Sequence, residues 1–108
     1  MARKTPVEAY LEPEAYYELT YASAGQLFAQ LTPARMRTLE ILKQAGPLSI
    51  YALAKRMGRN YSNVHADIAK LLEYDLVAKD AGGRMYVPWD AMEIRVSLTG
   101  GEPAGQAP

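Results

Sequence analysis

The stretch from Ser49 to Leu72, SIYALAKRMGRNYSNVHADIAKLL, constrains the chain more than any other part. Ile50, Leu53, Ala54 and Met57 recur at i, i+3, i+4 and i+7, the spacing that lines one face of a helix. Val64, Ile68, Leu71 and Leu72 make a second such stripe. Ser49 stands where an N-cap belongs, ready to accept from a free N–H one turn on. Gly58 follows the first stripe, where a left-handed residue ends a helix without a Cβ clash, and Asn60 can cap the second helix. Ala54 is small where the two helices must approach. Gly58, four residues later, sits in the turn, and Val64, six further on, presents an apolar knob to the first helix. Two helices in this phase across a tight turn make a helix-turn-helix.

The flanks extend the pattern. Ser23 to Leu31 reads as a short helix with Leu27, Phe28 and Leu31 on one side. Thr32-Pro33 starts another, with Thr as N-cap and Pro at the first helical position, where no N–H is missed. It runs to about Gln44 and stops at Gly46-Pro47. Met36, Leu39 and Leu42 share one side of it and Ile41 points nearly the opposite way, so this helix has two neighbours. One is the helix-turn-helix. The other is the Leu27/Phe28 helix or a dimer mate, which makes Leu27, Phe28 and Ile41 the candidate dimer contacts. Leu48-Ser49 could add one strand rung.

After the motif, residues 76–80 and 84–88 flank Ala81-Gly82-Gly83 and predict a β-hairpin. Helix, helix-turn-helix, hairpin is the winged-helix order. Trp89-Asp90 makes a corner. Met92, Ile94, Val96 and Leu98 then alternate with Glu93, Arg95 and Ser97, the period of a half-buried strand that needs a partner edge. Its open edge invites pairing with its own mate or with a partner protein's sheet, although the helices are favoured for the dimer contact. The expected class is therefore α+β: a winged helix-turn-helix, with a three-helix core and a β-hairpin wing, an extra N-terminal helix and an extra C-terminal strand. Residues 23–98 form this domain. Residues 1–22 are a Glu/Tyr-rich segment with no clear period. Its rings, Tyr10, Tyr16, Tyr17 and Tyr21, are too many for a disordered tail and are expected to pack on the domain, ahead of a second copy or a partner. Residues 99–108 are predicted to be disordered.

Charge and composition narrow the function. The 108-residue chain has a formal net charge of zero and no cysteine, which leaves no disulfide framework and no thiolate metal site. The neutrality is uneven. Residues 31–88 hold nine cations against five anions, while residues 1–30 and 89–108 are each net −2. A basic middle between acidic ends fits a phosphate-binding module whose flanks do another job. The apolar runs are too short to span a bilayer. Arg3 and Lys4 are followed by Glu8, Glu12 and Glu14 rather than an apolar signal core. The expectation is a cytoplasmic protein away from membranes.

Three pieces carry a resemblance: GPLSIYALAKRMG, then NYSNVHADIAKLLEYDLV, then the GGR hairpin turn. Together they resemble the MarR-like winged-helix DNA-binding proteins. NYSNVHADI followed by VPWDAMEI is similar, more narrowly, to a small family of prokaryotic DNA-binding proteins, some of which are the antitoxin of a two-gene toxin–antitoxin pair. Tyr74-Asp75 departs from the pattern, since winged helices often carry Gly after the recognition helix. Asp tolerates the left-handed conformation.

The resemblance implies that the exposed side of the second motif helix enters the major groove. With about 100° per residue, Ser62, Ala66 and Lys70 point away from the stripe centred between Val64 and Ile68, and Asn63 lies beside them. Asn63 can bond adenine in bidentate fashion and Ser62 can bond several base edges or a phosphate. Arg59, just before the helix, could read guanine or clamp a phosphate, and Lys70 falls late enough to meet the backbone. Tyr51, Lys55 and Arg56, on the outer side of the first helix, are phosphate candidates. Arg84 at the wing could enter the minor groove. Tyr61 falls toward the buried stripe and is expected to be mostly core.

His65, the single histidine, has no third group placed behind its ring to orient it as a base and too few companions for a metal. A helix-flank hydrogen bond or a DNA contact fits it better. No catalytic constellation, cofactor site or metal site is expected, so the chain is not read as an enzyme. The implied partners are double-stranded DNA, a second copy of the chain in a homodimer, and a cognate toxin if the narrower resemblance holds. The competing reading is a winged helix used for protein contacts without DNA.

Overall fold

The computed structural model describes residues 15–99. Expectations that fall on residues 1–14 and 100–108, Tyr10 and the disordered tail among them, lie outside that range. The described chain is mixed α and β. In order come β1 (Tyr16–Tyr21), α1 (Ala24–Gln30), α2 (Pro33–Ala45), α3 (Ile50–Met57), α4 (Tyr61–Glu73), β2 (Ala78–Lys79), β3 (Met85–Tyr86) and β4 (Ala91–Val96).

Each of the described helices begins at a side-chain cap. Ser23 Oγ accepts from the Gln26 N–H at 3.2 Å, Thr32 Oγ1 from Arg35 at 3.2 Å, Ser49 Oγ from Ala52 at 3.0 Å, and Asn60 Oδ1 from Ser62 at 2.8 Å. Each such cap is worth about 1 kcal/mol against alanine. Pro33 occupies the first turn of α2, as its missing N–H allows.

The ends of α3 and α4 share one bonding pattern. Gly58, at φ 66°, donates to Lys55 O at 3.2 Å, and Arg59 N–H reaches Ala54 O at 3.0 Å. Asp75, at φ 64°, donates to Leu72 O at 3.0 Å, and Leu76 N–H reaches Leu71 O at 2.9 Å. This is the double-bonded left-handed C-terminus that usually carries Gly. Gly58→Ala should therefore lower stability by about 1 kcal/mol. Asp75→Gly should move stability the other way by less, because Asp already tolerates this conformation. Denaturant melts of the two variants check the pair of signs.

The core lies where α2, α3 and α4 meet. Leu42, Leu53, Val64, Ile68 and Leu71 are fully buried there. Ala54, also buried, lets α3 and α4 come close. The hairpin closes one side: Ala78 pairs with Tyr86 and Lys79 with Met85, antiparallel. Leu48 adds the rung its position suggested, exchanging hydrogen bonds of 3.0 and 2.7 Å with Met85.

The last strand finds its partner at the front of the chain. β1 and β4 pair in parallel, with Tyr17 opposite Met92, Leu19 opposite Ile94 and Tyr21 opposite Val96. These six residues share one face. Tyr16, Glu18 and Thr20 share the other with Ala91, Glu93 and Arg95. Tyr17 also ties the sheet to the end of α4: its hydroxyl donates to Tyr74 O, and its ring meets Trp89 edge-on at 5.1 Å. Burial, and then the nearby Asp75 carboxylate, push the Tyr17 phenol above its ordinary pKa. Trp89 Nε1 donates to Asp75 O at 3.0 Å, which fixes the corner. The Tyr21 ring is buried but its hydroxyl has no hydrogen-bond partner among the described residues, so what Tyr21 brings is the ring.

Candidate nucleic-acid interface

Helix α4 has two unlike sides. Val64, Ile68 and Leu71 go inward, and Asp67 goes with them. Ser62, Asn63, Ala66 and Lys70 are all exposed, as their phase on the helix requires. The small Ala66 at the middle of that face leaves room for a surface to come close. Asn63 presents a free amide beside it, with both a donor and an acceptor.

Tyr61 departs from the expectation that it is mostly core: 49% of it is exposed. Its phase is near that of the buried stripe, but its height is wrong. It is the first residue of α4, beyond the level where α3 and α2 can cover it. Its ring instead lies 5.8 Å from the His65 ring, tilted by 38°. The flank of α4, between the buried stripe and the outer face, thus carries an exposed aromatic pair.

The cations divide by how firmly they are held. Lys55 and Arg56 project from the last turn of α3, both exposed and in no ion pair among the described residues. Lys55 Nζ sits 5.6 Å from the centre of the exposed Tyr51 ring. Lys70 faces Glu73 at 3.4 Å, and Arg84 faces Asp80 at 3.3 Å with 60% of its side chain exposed. Surface pairs of this kind are worth about 0–1 kcal/mol, so a phosphate could displace either carboxylate. Asp80 is itself fixed by the hairpin. The Arg84 N–H at 2.8 Å holds its carboxyl below the usual range, helped by the Arg84 guanidinium and the Gly82 N–H.

Arg59 is held differently. Its Nη1 lies 3.0 Å from Asp67 Oδ2, while Arg35 Nε lies 3.0 Å from Asp67 Oδ1. Arg35 also donates to Gln30 O at 2.9 Å. One nearly buried carboxylate therefore joins α2, the turn after α3, and α4. Any contact from Arg59 to DNA has to use the N–H groups this pair leaves over. The sequence held the clue: Asp67 sits beside Ile68 in an apolar stripe, and a charge in that place calls for a cation.

The three candidate dimer contacts differ in burial. Leu27 and Ile41 pack against the core, and Phe28 alone stays out, 67% exposed. Among the described residues no three His, Cys, Asp or Glu side chains gather where a metal ion could sit, and no helix is long and apolar enough to cross a membrane.

The profile of the HVO_A0114 family matches residues 30–94, more than half of the 108-residue chain. The match takes in α2, α3, α4, the hairpin and the first part of β4, and leaves out β1 and nearly all of α1. No curated protein and no solved structure matches the chain.

Proposed function

The chain belongs to the HVO_A0114 family, and we propose that it is a winged-helix DNA-binding regulator whose helix α4 reads the major groove. The observation that carries this reading is the outer face of α4. A helix on a protein of zero net charge keeps Ser62, Asn63 and Ala66 exposed, none of them charged, and is preceded by two cations, Lys55 and Arg56, that are in no ion pair among the described residues. Base edges are read by short polar side chains, and phosphates are held by cations at the margin. The order α2, α3, α4, β2, β3 supports the winged-helix reading, with Arg84 at the tip of the wing. Tyr51 and Lys70 then flank the groove, and Tyr61 and His65 offer further contacts.

In this reading two copies act together as an autorepressor on a two-fold operator, since one recognition helix reads only a few base pairs. The antitoxin role is the finer form of the same proposal. There the acidic, Tyr-rich N-terminal part or the β4 edge would mask a toxin.

Two variants test the reading against duplex DNA from upstream of the coding sequence, by fluorescence anisotropy over a salt series. Asn63→Ala should weaken specific binding by about 1–3 kcal/mol and relax one base position. Lys55→Ala should weaken all sequences alike and lower the salt slope by about one unit. An Asn63→Ala protein with unchanged affinity and preference would move the reading face off α4. A wild-type protein that binds no duplex at low salt would leave the protein-contact reading.

A further inference from the structure

The sheet of β1 and β4 ends in two unpaired edges among the described residues. A two-stranded ribbon is marginal by itself, and open edges invite further pairing. Apolar side chains are also left out here. Of the large exposed hydrophobics among the described residues, Tyr51 and Tyr61 lie on the proposed DNA side and Phe28 on α1, whereas Tyr16, Ile94 and Leu98 lie on or just beyond this sheet.

The chemistry of the β4 edge selects its occupant. Ser97 N–H donates to Tyr21 O at 3.1 Å, on the β1 side. Asp90 N–H also reaches Ala15 O, at 2.7 Å, but from the corner before the strand and one residue out of step with its register. Within the strand backbone groups alternate from edge to edge, so Glu93 and Arg95 turn theirs to β1 as Ser97 does. Met92, Ile94 and Val96 turn theirs to the open edge. The charges on this strand have no partner of opposite sign among the described residues. Glu93 stands directly opposite Glu18 of β1, an unfavourable like-charge rung. Neither Glu93 nor Arg95 has an ion pair among the described residues.

We propose that the open edge of β4 pairs antiparallel with β4 of a second copy of this chain, about a two-fold axis at Ile94, making a four-stranded sheet across the dimer. In that register Ile94 meets its own copy and Met92 meets the partner's Val96, all with their N–H and C=O groups aimed across the seam. Glu93 meets the partner's Arg95, and Arg95 the partner's Glu93. Both charge pairs fall at the non-hydrogen-bonded positions, where facing side chains come closest. The strand AMEIRV is thus self-complementary in backbone, charge and apolar face about one residue. β1, YYELTY, carries no cation, so no register of β1 on its own copy answers Glu18. The pairing needs no nucleic acid, and its failure would leave the DNA reading standing.

Charge exchange tests it, with the oligomeric state read by light scattering and sedimentation. Wild type should be a dimer. Glu93→Arg and Arg95→Glu set like charges across both rungs, and each should be a monomer with its helices intact by circular dichroism. Mixed in equal amounts, the two monomers should form a heterodimer, because each supplies what the other lacks. The double variant should dimerise with itself. A monomeric wild type would overturn the proposal, as would single variants that stay dimeric, or a mixture that remains monomeric. Dimerisation lost instead with Phe28→Ser would place the contact on α1 and overturn it too.

Discussion

Val64→Asp should abolish the cooperative unfolding transition. Val64 is completely buried on the inner side of α4, which packs on α3. An aspartate there has neither solvent nor a cation. The two arginines of this region already share Asp67 on the next turn, so the new carboxylate must stay unpaired or take a proton in the core. Either course costs several kcal/mol, at the top of the range for single substitutions. A small domain has about 5–15 kcal/mol in total. The expected result is a broad or absent thermal transition with reduced helix signal. A sharp melt within a few degrees of wild type would show that the phase of α4 is misassigned.

Asp67→Ala should be the second most damaging change. It strands two cations at once: Arg35 and Arg59 keep only 17% and 28% of their side chains exposed. Breaking a fully buried pair by removing one partner costs about 3–5 kcal/mol. These arginines are partly wetted, which brings the expected loss to about 2–3 kcal/mol. Adding Arg59→Ala to Asp67→Ala should recover part of that loss, since one stranded charge is then gone. Chemical melts of the two single variants and the double check this. Asp67→Ala within about half a kcal/mol of wild type would contradict a structural role for the carboxylate.

The two substitutions mark the limit of what could be read from residues in order. Local signals were legible. Ser23, Thr32, Ser49 and Asn60 are caps because a short side-chain oxygen needs only the next turn to bond. Gly58 and Asp75 end their helices because a left-handed residue is a local property. The hairpin followed from its Gly-rich turn, and the β4 alternation from its period.

Features that depend on distant parts of the chain were less visible. β1 shows no clean alternation because tyrosines occupy both of its faces, and its partner strand lies at the other end of the domain. Parallel pairing leaves no turn to mark it. The same holds for Asp67, whose cations come from a separate helix and from a turn. Tyr61 failed for a different reason: angle around a helix can be read from sequence, but height along it depends on where the neighbours stop. On the candidate interface, Ser62, Asn63, Ala66 and Lys70 were legible by phase. The tether on Arg59 and the Tyr61/His65 pair were not.

Selection from a pool of random duplexes tests the central claim most directly. The full chain is incubated with the pool at low salt, and the bound fraction is amplified and sequenced over several rounds. If the outer face of α4 reads DNA, wild type enriches a short two-fold motif, and Asn63→Ala enriches the same motif with one position in each half relaxed. A wild-type protein that enriches no motif and retains no duplex would contradict the account.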